Sequence, residues 1–190
     1  LAGGAVYNTA IALGRLGQDT GYLWPISRDP FGDQILRPLA EAGVNTDLCP
    51  RTDRLTTLAL VTLTNAEARY SFYDEGSAGR MLLPEDIGPL PDTVTALFAG
   101  GISLVPDPCG GTIEALIAQH HDRLPVMIDP NIRPFFITDA RSHSFITLWI
   151  GLSTVTSSEP AKSNPTARFS WSTISEPESP GCDISEARIW

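Results

Sequence analysis

The run Ala2-Gly3-Gly4-Ala5-Val6-Tyr7-Asn8 places two glycines just ahead of a helical pattern. Paired glycines let the backbone approach a ligand closely. A helix start presents N–H groups without intrahelical partners, and Asn8 carries both a donor and an acceptor. Such a set suits the hydroxyls of a small polyol. It is equally an ordinary helix start with a surface Asn, so the segment alone leaves both readings open. A second run, Asp129-Pro130-Asn131-Ile132-Arg133-Pro134, follows an apolar stretch at 126–128. In open α/β sheets ligands bind beyond the C-terminal strand ends, and a guanidinium such as that of Arg133 matches phosphate or carboxylate geometry. The alternative is a turn with a surface ion pair.

Other candidates carry less chemistry. His120-His121-Asp122 offers ligand types, but adjacent helical residues do not share a face, so shared ligation fails and a solvated helix end remains. Gly110-Gly111 lacks the Lys-Ser/Thr of a P-loop and reads as a loop before a helix at Thr112. Glu67, Glu75, Glu85 and Asp86 read as surface charges. No cluster has metal-ligand spacing, and no metal site is expected. A Rossmann dehydrogenase fails for want of Gly-x-Gly-x-x-Gly after a strand.

The elements that must position these residues follow from periodicity. Residues 5–16 read as a helix with Val6, Ala10, Leu13 and Leu16 at helical spacing, stopped by Gly17. A short apolar strand is expected at 20–25. Asp29 caps a second helix through Phe31, Ile35, Leu36 and Leu39, which Gly43 ends. Strands at 58–63 and 70–73 flank a polar turn, and 84–86 starts a helical turn. Buried strands are expected at 95–98 and 126–128, with a helix at 112–121 between them that carries Ile113, Leu116 and Ile117. Alternating strands and helices imply an α/β fold with a largely parallel sheet. The 58–73 pair is an antiparallel hairpin at an edge or over a cleft. Beyond about residue 145 Ser, Thr, Pro and Glu dominate and periodicity ends, which reads as loop or disorder.

The 190 residues suffice for one hydrophobic core, with 42% apolar and 18% charged residues. A formal charge of −9 argues against nucleic acid as a partner. No run is long enough to span a membrane, and no signal peptide is read. Cys49, Cys109 and Cys182 are scattered, with neither disulfide nor zinc spacing; they suit a reducing, cytoplasmic compartment as buried or incidental thiols.

Taken in order, six segments resemble the PfkB (ribokinase-like) carbohydrate kinases, most of all the fructokinases. The first spans Gly3, Gly4, Asn8, Ala10, Arg15, Leu16 and Gly17. Asp29-Pro30-Phe31-Gly32-Asp33 and Gly43-Val44 follow. Next come Thr56-Thr57-Leu58-Ala59 with Ser71-Phe72-Tyr73-Asp74-Glu75-Gly76-Ser77-Ala78. Phe98-Ala99-Gly100-Gly101-Ile102-Ser103 and the Asp129–Pro134 run close the set. The resemblance implies a ribokinase-like α/β fold with a small β lid, incomplete here. It divides the chain into a partial kinase domain at 1–142 and a non-family tail at 143–190, expected to be disordered.

The resemblance implies ATP-dependent phosphorylation of a sugar hydroxyl with Mg²⁺. Fructose is the leading substrate, and 2-keto-3-deoxygluconate and ribose are the alternatives. Gly3, Gly4 and Asn8 carry over to the sugar site, as do Phe72 and Tyr73 before the Glu-Gly-Ser-Ala loop. Asn131 and Arg133 carry over where sugar and nucleotide phosphates meet. Family members often dimerise through the lid, so a homodimer of the intact protein is included. Two departures stand out. Past Gly17 the family usually has Gly where this chain has Trp24-Pro25. The Gly-Ala-Gly-Asp loop, which supplies the anion hole and catalytic Asp, is absent, so no catalytic residue is assigned. The expectation is a truncated or frameshifted form without activity of its own; the rival is a non-catalytic sugar-binding or structural remnant.

Overall fold

The computed structural model describes residues 1–64, 67–129 and 186–189. Helix α1 (Ala5–Arg15) and helix α2 (Pro30–Glu41) lie on short parallel strands. Both helices end in the same way. The Gln18 N–H reaches the Leu13 carbonyl and the Gly17 N–H that of Gly14, with Gly17 at φ 75°. After α2, Val44 N–H reaches Leu39 and Gly43 N–H reaches Ala40, with Gly43 at φ 74°. This paired bonding satisfies carbonyls the helix leaves open. In α2 it also seats Val44 against the fully buried Leu39.

The core lies between these helices and the strands: Tyr7, Ala10, Tyr22, Ile26, Ile35, Leu39, Ala42, Val44 and Cys49 form one buried cluster. The Tyr7 hydroxyl donates to the Ile35 carbonyl at 3.1 Å, satisfying a buried polar group and tying α1 to α2. The Tyr22 ring meets Tyr7 edge-on, with centroids 5.9 Å apart. The face α1 buries differs from the one expected. Tyr7 and Ala10 are buried, whereas Leu13 is 38% and Leu16 74% exposed. The reason lies at Gly14, where a Cβ would stand 2.3 Å from the Ala42 carbonyl oxygen. The helices approach along the 7/10/14 face, which turns Leu13 and Leu16 outward.

Strand β1 (Ile26–Ser27) pairs in parallel with β2 (Arg51–Thr52), and Gly21 bridges Asn45 in the same sense. The expected strand at 20–25 is thus broken: Trp24-Pro25 interrupts the ladder, and proline has no N–H to give it. Strands β3 (Leu58–Thr64) and β4 (Glu67–Tyr73) form the antiparallel hairpin, in register from Leu58–Tyr73 to Thr64–Glu67. Strand β5 (Leu97–Gly100) runs into a 3₁₀ turn, Gly101–Leu104. Helix α3 (Cys109–His120) then leads to β6 (Val126–Asp129), parallel to β5. Another 3₁₀ turn is at Pro84–Asp86, as the sequence indicates. Strand β7 (Glu186–Ile189) adds to β3 antiparallel, so this sheet runs β4-β3-β7; periodicity gave no strand there.

Two further expectations change. Gly110-Gly111 is the first turn of α3 rather than a loop. Gly110 packs so tightly on Leu104 that a Cβ would stand 3.0 Å from its carbonyl oxygen, a contact that outweighs the low helix propensity of glycine. The β5 and β6 strands are not deeply buried. Met127 is 68% exposed, since among the described residues β6 pairs with β5 alone. No helix among the described residues is long and apolar enough to cross a membrane. Cys49 and Cys109 are free buried thiols, pushed by burial up to about 11 and about 12.

Candidate functional site

Helix α1 starts from Gly4, whose φ of 121° and ψ of 147° lie in a region that side-chain-bearing residues rarely enter. The Asn8 N–H closes the first turn on the Gly4 carbonyl at 2.9 Å, and Asn8 is exposed. Beneath the helix start lies the end of β5. Gly101, at φ 72°, turns the chain so closely that a Cβ there would contact the Ala5 Cβ at 3.7 Å. Gly100 pairs with Asp129, and a Cβ on Gly100 would stand 2.5 Å from the Asp129 carbonyl oxygen. The Ser103 hydroxyl fastens the turn by donating to the Gly100 carbonyl at 2.8 Å. The α1 N-terminus and the C-terminal ends of two parallel strands therefore converge. This is the edge where α/β sheets take ligands, with the positive end of a helix facing it.

Of the residues the sequence singled out, Gly3, Gly4 and Asn8 lie in or at the first turn of α1. Asn131 and Arg133 lie outside the described residues; the described chain reaches Asp129, the residue from which that motif starts. Phe72 and Tyr73 are not brought together. Successive strand residues face opposite sides. Phe72 pairs with Ala59, which is fully buried, while Tyr73 pairs with Leu58 and is 61% exposed. Leu58 packs against the core cluster that α1 helps to form. Tyr73 and Leu58 thus share the more exposed face of the hairpin base, and Phe72 and Ala59 the buried one.

Asp29 caps α2 as the sequence indicates, and it also belongs to a set of polar ties at the hairpin base that pattern reading missed. The Asp29 carboxylate caps α2 by accepting from Phe31 N–H at 3.0 Å and Gly32 N–H at 2.8 Å. It also accepts from the Thr56 N–H at 2.8 Å and the Thr56 hydroxyl at 2.7 Å. Burial pushes the Asp29 carboxyl up, but the hydrogen bonds from Thr56 and Gly32 outweigh it and hold the group below the usual carboxylate range. Thr57 and Ser77 share a hydrogen bond at 2.6 Å, and the Ala78 N–H reaches the Leu55 carbonyl at 2.7 Å. Arg80 pairs with Asp74 at 2.8 Å and donates to the Asp107 carbonyl at 2.8 Å. The signal for these ties is the density of Thr, Ser, Asp and Arg in 52–57 and 74–80, whose partners only the fold reveals.

A helix-start glycine turn over parallel strand ends, with an antiparallel hairpin, is the architecture of a ribokinase-like fold. Residues 1–147 match the model of the pfkB family carbohydrate kinases, and the chain belongs to that family. It is 48% identical over 142 residues to a fructokinase of Rhizobium leguminosarum bv. trifolii, covering 75% of this chain and 44% of that protein. It is 30% identical over 153 residues to fructokinase-2 of Oryza sativa subsp. japonica, covering 77% and 46%. The crystal structure of a Xylella fastidiosa fructokinase superposes with a TM-score of 0.67 at 24% identity, covering 82% of this chain and 56% of that one. The same enzyme with bound ATP gives 0.65 at 25% identity, covering 81% and 55%. The chain spans less than half the length of the curated relatives it matches.

Proposed function

We propose that the protein is a fructokinase-like sugar kinase and that the described residues form part of its sugar side. The observation that carries this reading is the convergence of Gly4, Gly101 and the Gly100–Asp129 pair under the start of α1. Gly3 and Gly4 let the sugar come close to the backbone, and Asn8 supplies hydrogen bonds to its hydroxyls. Tyr73, exposed at the base of the hairpin, is the aromatic contact; Phe72, on the opposite face, supports the hairpin. Asn131 and Arg133 stand next to the Asp129 strand end in sequence and are assigned the phosphate corner. The kinase unit is 1–142, and 143–190 is a tail outside it whose strand β7 pairs with β3.

The reaction is phosphoryl transfer from ATP to a hydroxyl of fructose. Support for fructose comes from the names of the relatives, and for ATP from the nucleotide-bound Xylella fastidiosa structure. Mg²⁺ belongs to the proposal on general grounds, as the ion that offsets phosphate charge in such transfers. Among the described residues no group of three or more His, Cys, Asp or Glu could hold a metal. The role of the described residues in this proposal is to bind and orient the sugar. A cytoplasmic location and a homodimer of the whole protein complete the proposal.

A hybrid tests it. The 142 matched residues replace their counterparts in the Rhizobium leguminosarum fructokinase, and ADP release is followed with fructose, ribose and 2-keto-3-deoxygluconate. Turnover with fructose above the other two is expected. A folded hybrid that uses ribose or the keto-acid and ignores fructose refutes the substrate assignment. One that binds fructose and transfers nothing favours the non-catalytic sugar-binding reading.

A further inference from the structure

The return from the hairpin passes over Trp24. A Cβ built on Gly79 would stand 2.7 Å from Nε1 and 3.0 Å from Cζ2 of Trp24, and 3.1 Å from the Thr57 hydroxyl. The indole edge therefore lies against the Gly79 backbone, in space any side chain would fill. Gly79 is buried and Trp24 half-buried, and Trp24 also packs on the core cluster of α1 and α2. Trp24 is thus in contact with both the body of the domain and the loop that carries the hairpin back. Around that contact, Thr57 just before β3 meets Ser77 just after β4, and Ala78 is bonded to Leu55. Both feet of the hairpin rest at one point, and the indole is the rigid body beneath it.

We propose that Trp24 is the positioning residue of the hairpin, its indole edge seated on Gly79 and setting where Tyr73 stands over the sugar side. The consequence for binding rests on the functional reading above; the mechanical role does not. Close packing transmits displacement, because a filled interior has little free volume to absorb an added methyl. Gly79→Ala lifts the return loop off the indole and moves β4, and with it Tyr73. Trp24→Phe removes the Nε1–H and the outer six-membered ring with Cζ2, and gives the methyl room.

The test is a double-substitution cycle on the full chain, read by amide hydrogen exchange and by calorimetric titration with fructose. Gly79→Ala speeds exchange of the Ala78 amide and of the β3 amides about tenfold while α2 amides are unchanged, a coupling of the size contacting residues show. Adding Trp24→Phe brings those rates back to within about threefold of Trp24→Phe alone. Fructose Kd follows the same pattern of loss and rescue. An equal effect of Gly79→Ala in both backgrounds, or none on the hairpin amides, overturns the proposal. If Gly79→Ala fails to fold, recovery of a folded double variant supports the proposal and failure of the double variant also overturns it. If the unaltered chain binds no fructose, the sugar-site reading fails, and the exchange data still decide the role of Trp24.

Discussion

The Asp29 carboxylate holds Thr56 with both oxygens, Oδ2 to the backbone N–H at 2.8 Å and Oδ1 to the hydroxyl at 2.7 Å, while Oδ1 also caps α2. One side chain thereby fixes a helix start and the foot of the hairpin strand β3. Removing it orphans donors at both places, and leaving polar groups unpaired costs more than the bonds themselves are worth.

Asp29→Ala is expected to destabilise the chain by about 2–4 kcal/mol, from a lost cap and unpaired Thr56 groups. Chemical denaturation checks the value. A loss under about 0.5 kcal/mol, the range of an ordinary surface substitution, would contradict it.

The same residue gives a pH dependence. Its folded pKa lies below the unfolded value, so its contribution is complete above about pH 4 and is lost as pH falls through the folded value. Asp29→Asn keeps a capping side chain without the titration. The acid limb of a melting-temperature profile is expected to be shallower in the variant; parallel limbs would mean that Asp29 does not titrate differently on folding.

Tyr73 and Phe72 are expected to separate by function. Tyr73→Ala raises the KM of the hybrid enzyme for fructose about tenfold and leaves Tm nearly unchanged, because the ring is 61% exposed. Phe72→Ala lowers stability by about 2 kcal/mol, the loss expected of a half-buried ring. The reverse pattern would place the sugar on the other face of the hairpin.

Gly4→Ala forces a side chain into φ 121° and is expected to destabilise the α1 start by about 1–3 kcal/mol. Asn8→Ala, on an exposed helix position, should leave Tm unchanged while weakening fructose binding. Paired melts and titrations separate the two effects; unchanged binding in Asn8→Ala removes that residue from the site.

Much of this was legible in the sequence because caps and turns are local. Asp29 with Pro30, and Gly17 and Gly43 past two helices, announce their conformations without any tertiary contact. The hairpin was legible because alternation fixes register. What escaped the sequence depended on distant partners. Gly14 faces outward or inward according to where Ala42 lies, and Gly110 joins a helix because Leu104 presses on it. Trp24 against Gly79 joins residues far apart in sequence. Phe72-Tyr73 read as a pair until pairing with Ala59 and Leu58 assigned them opposite faces.

Arg133 lies beyond the described residues, and its role rests on the Asp129–Pro134 motif. In the hybrid, Arg133→Ala is expected to lower kcat/KM by about 2–4 kcal/mol of transition-state stabilisation while Tm barely moves. A large drop in Tm with normal turnover would make it structural.

The most direct test of the sugar-kinase account is fructose-dependent ADP release by the hybrid carrying the 142 matched residues. The account predicts kcat/KM for fructose within about tenfold of the parent fructokinase, a change of about 1.4 kcal/mol. A folded hybrid that binds ATP but neither binds nor phosphorylates fructose would contradict the assignment of the α1 start and the β5–β6 ends to the sugar side.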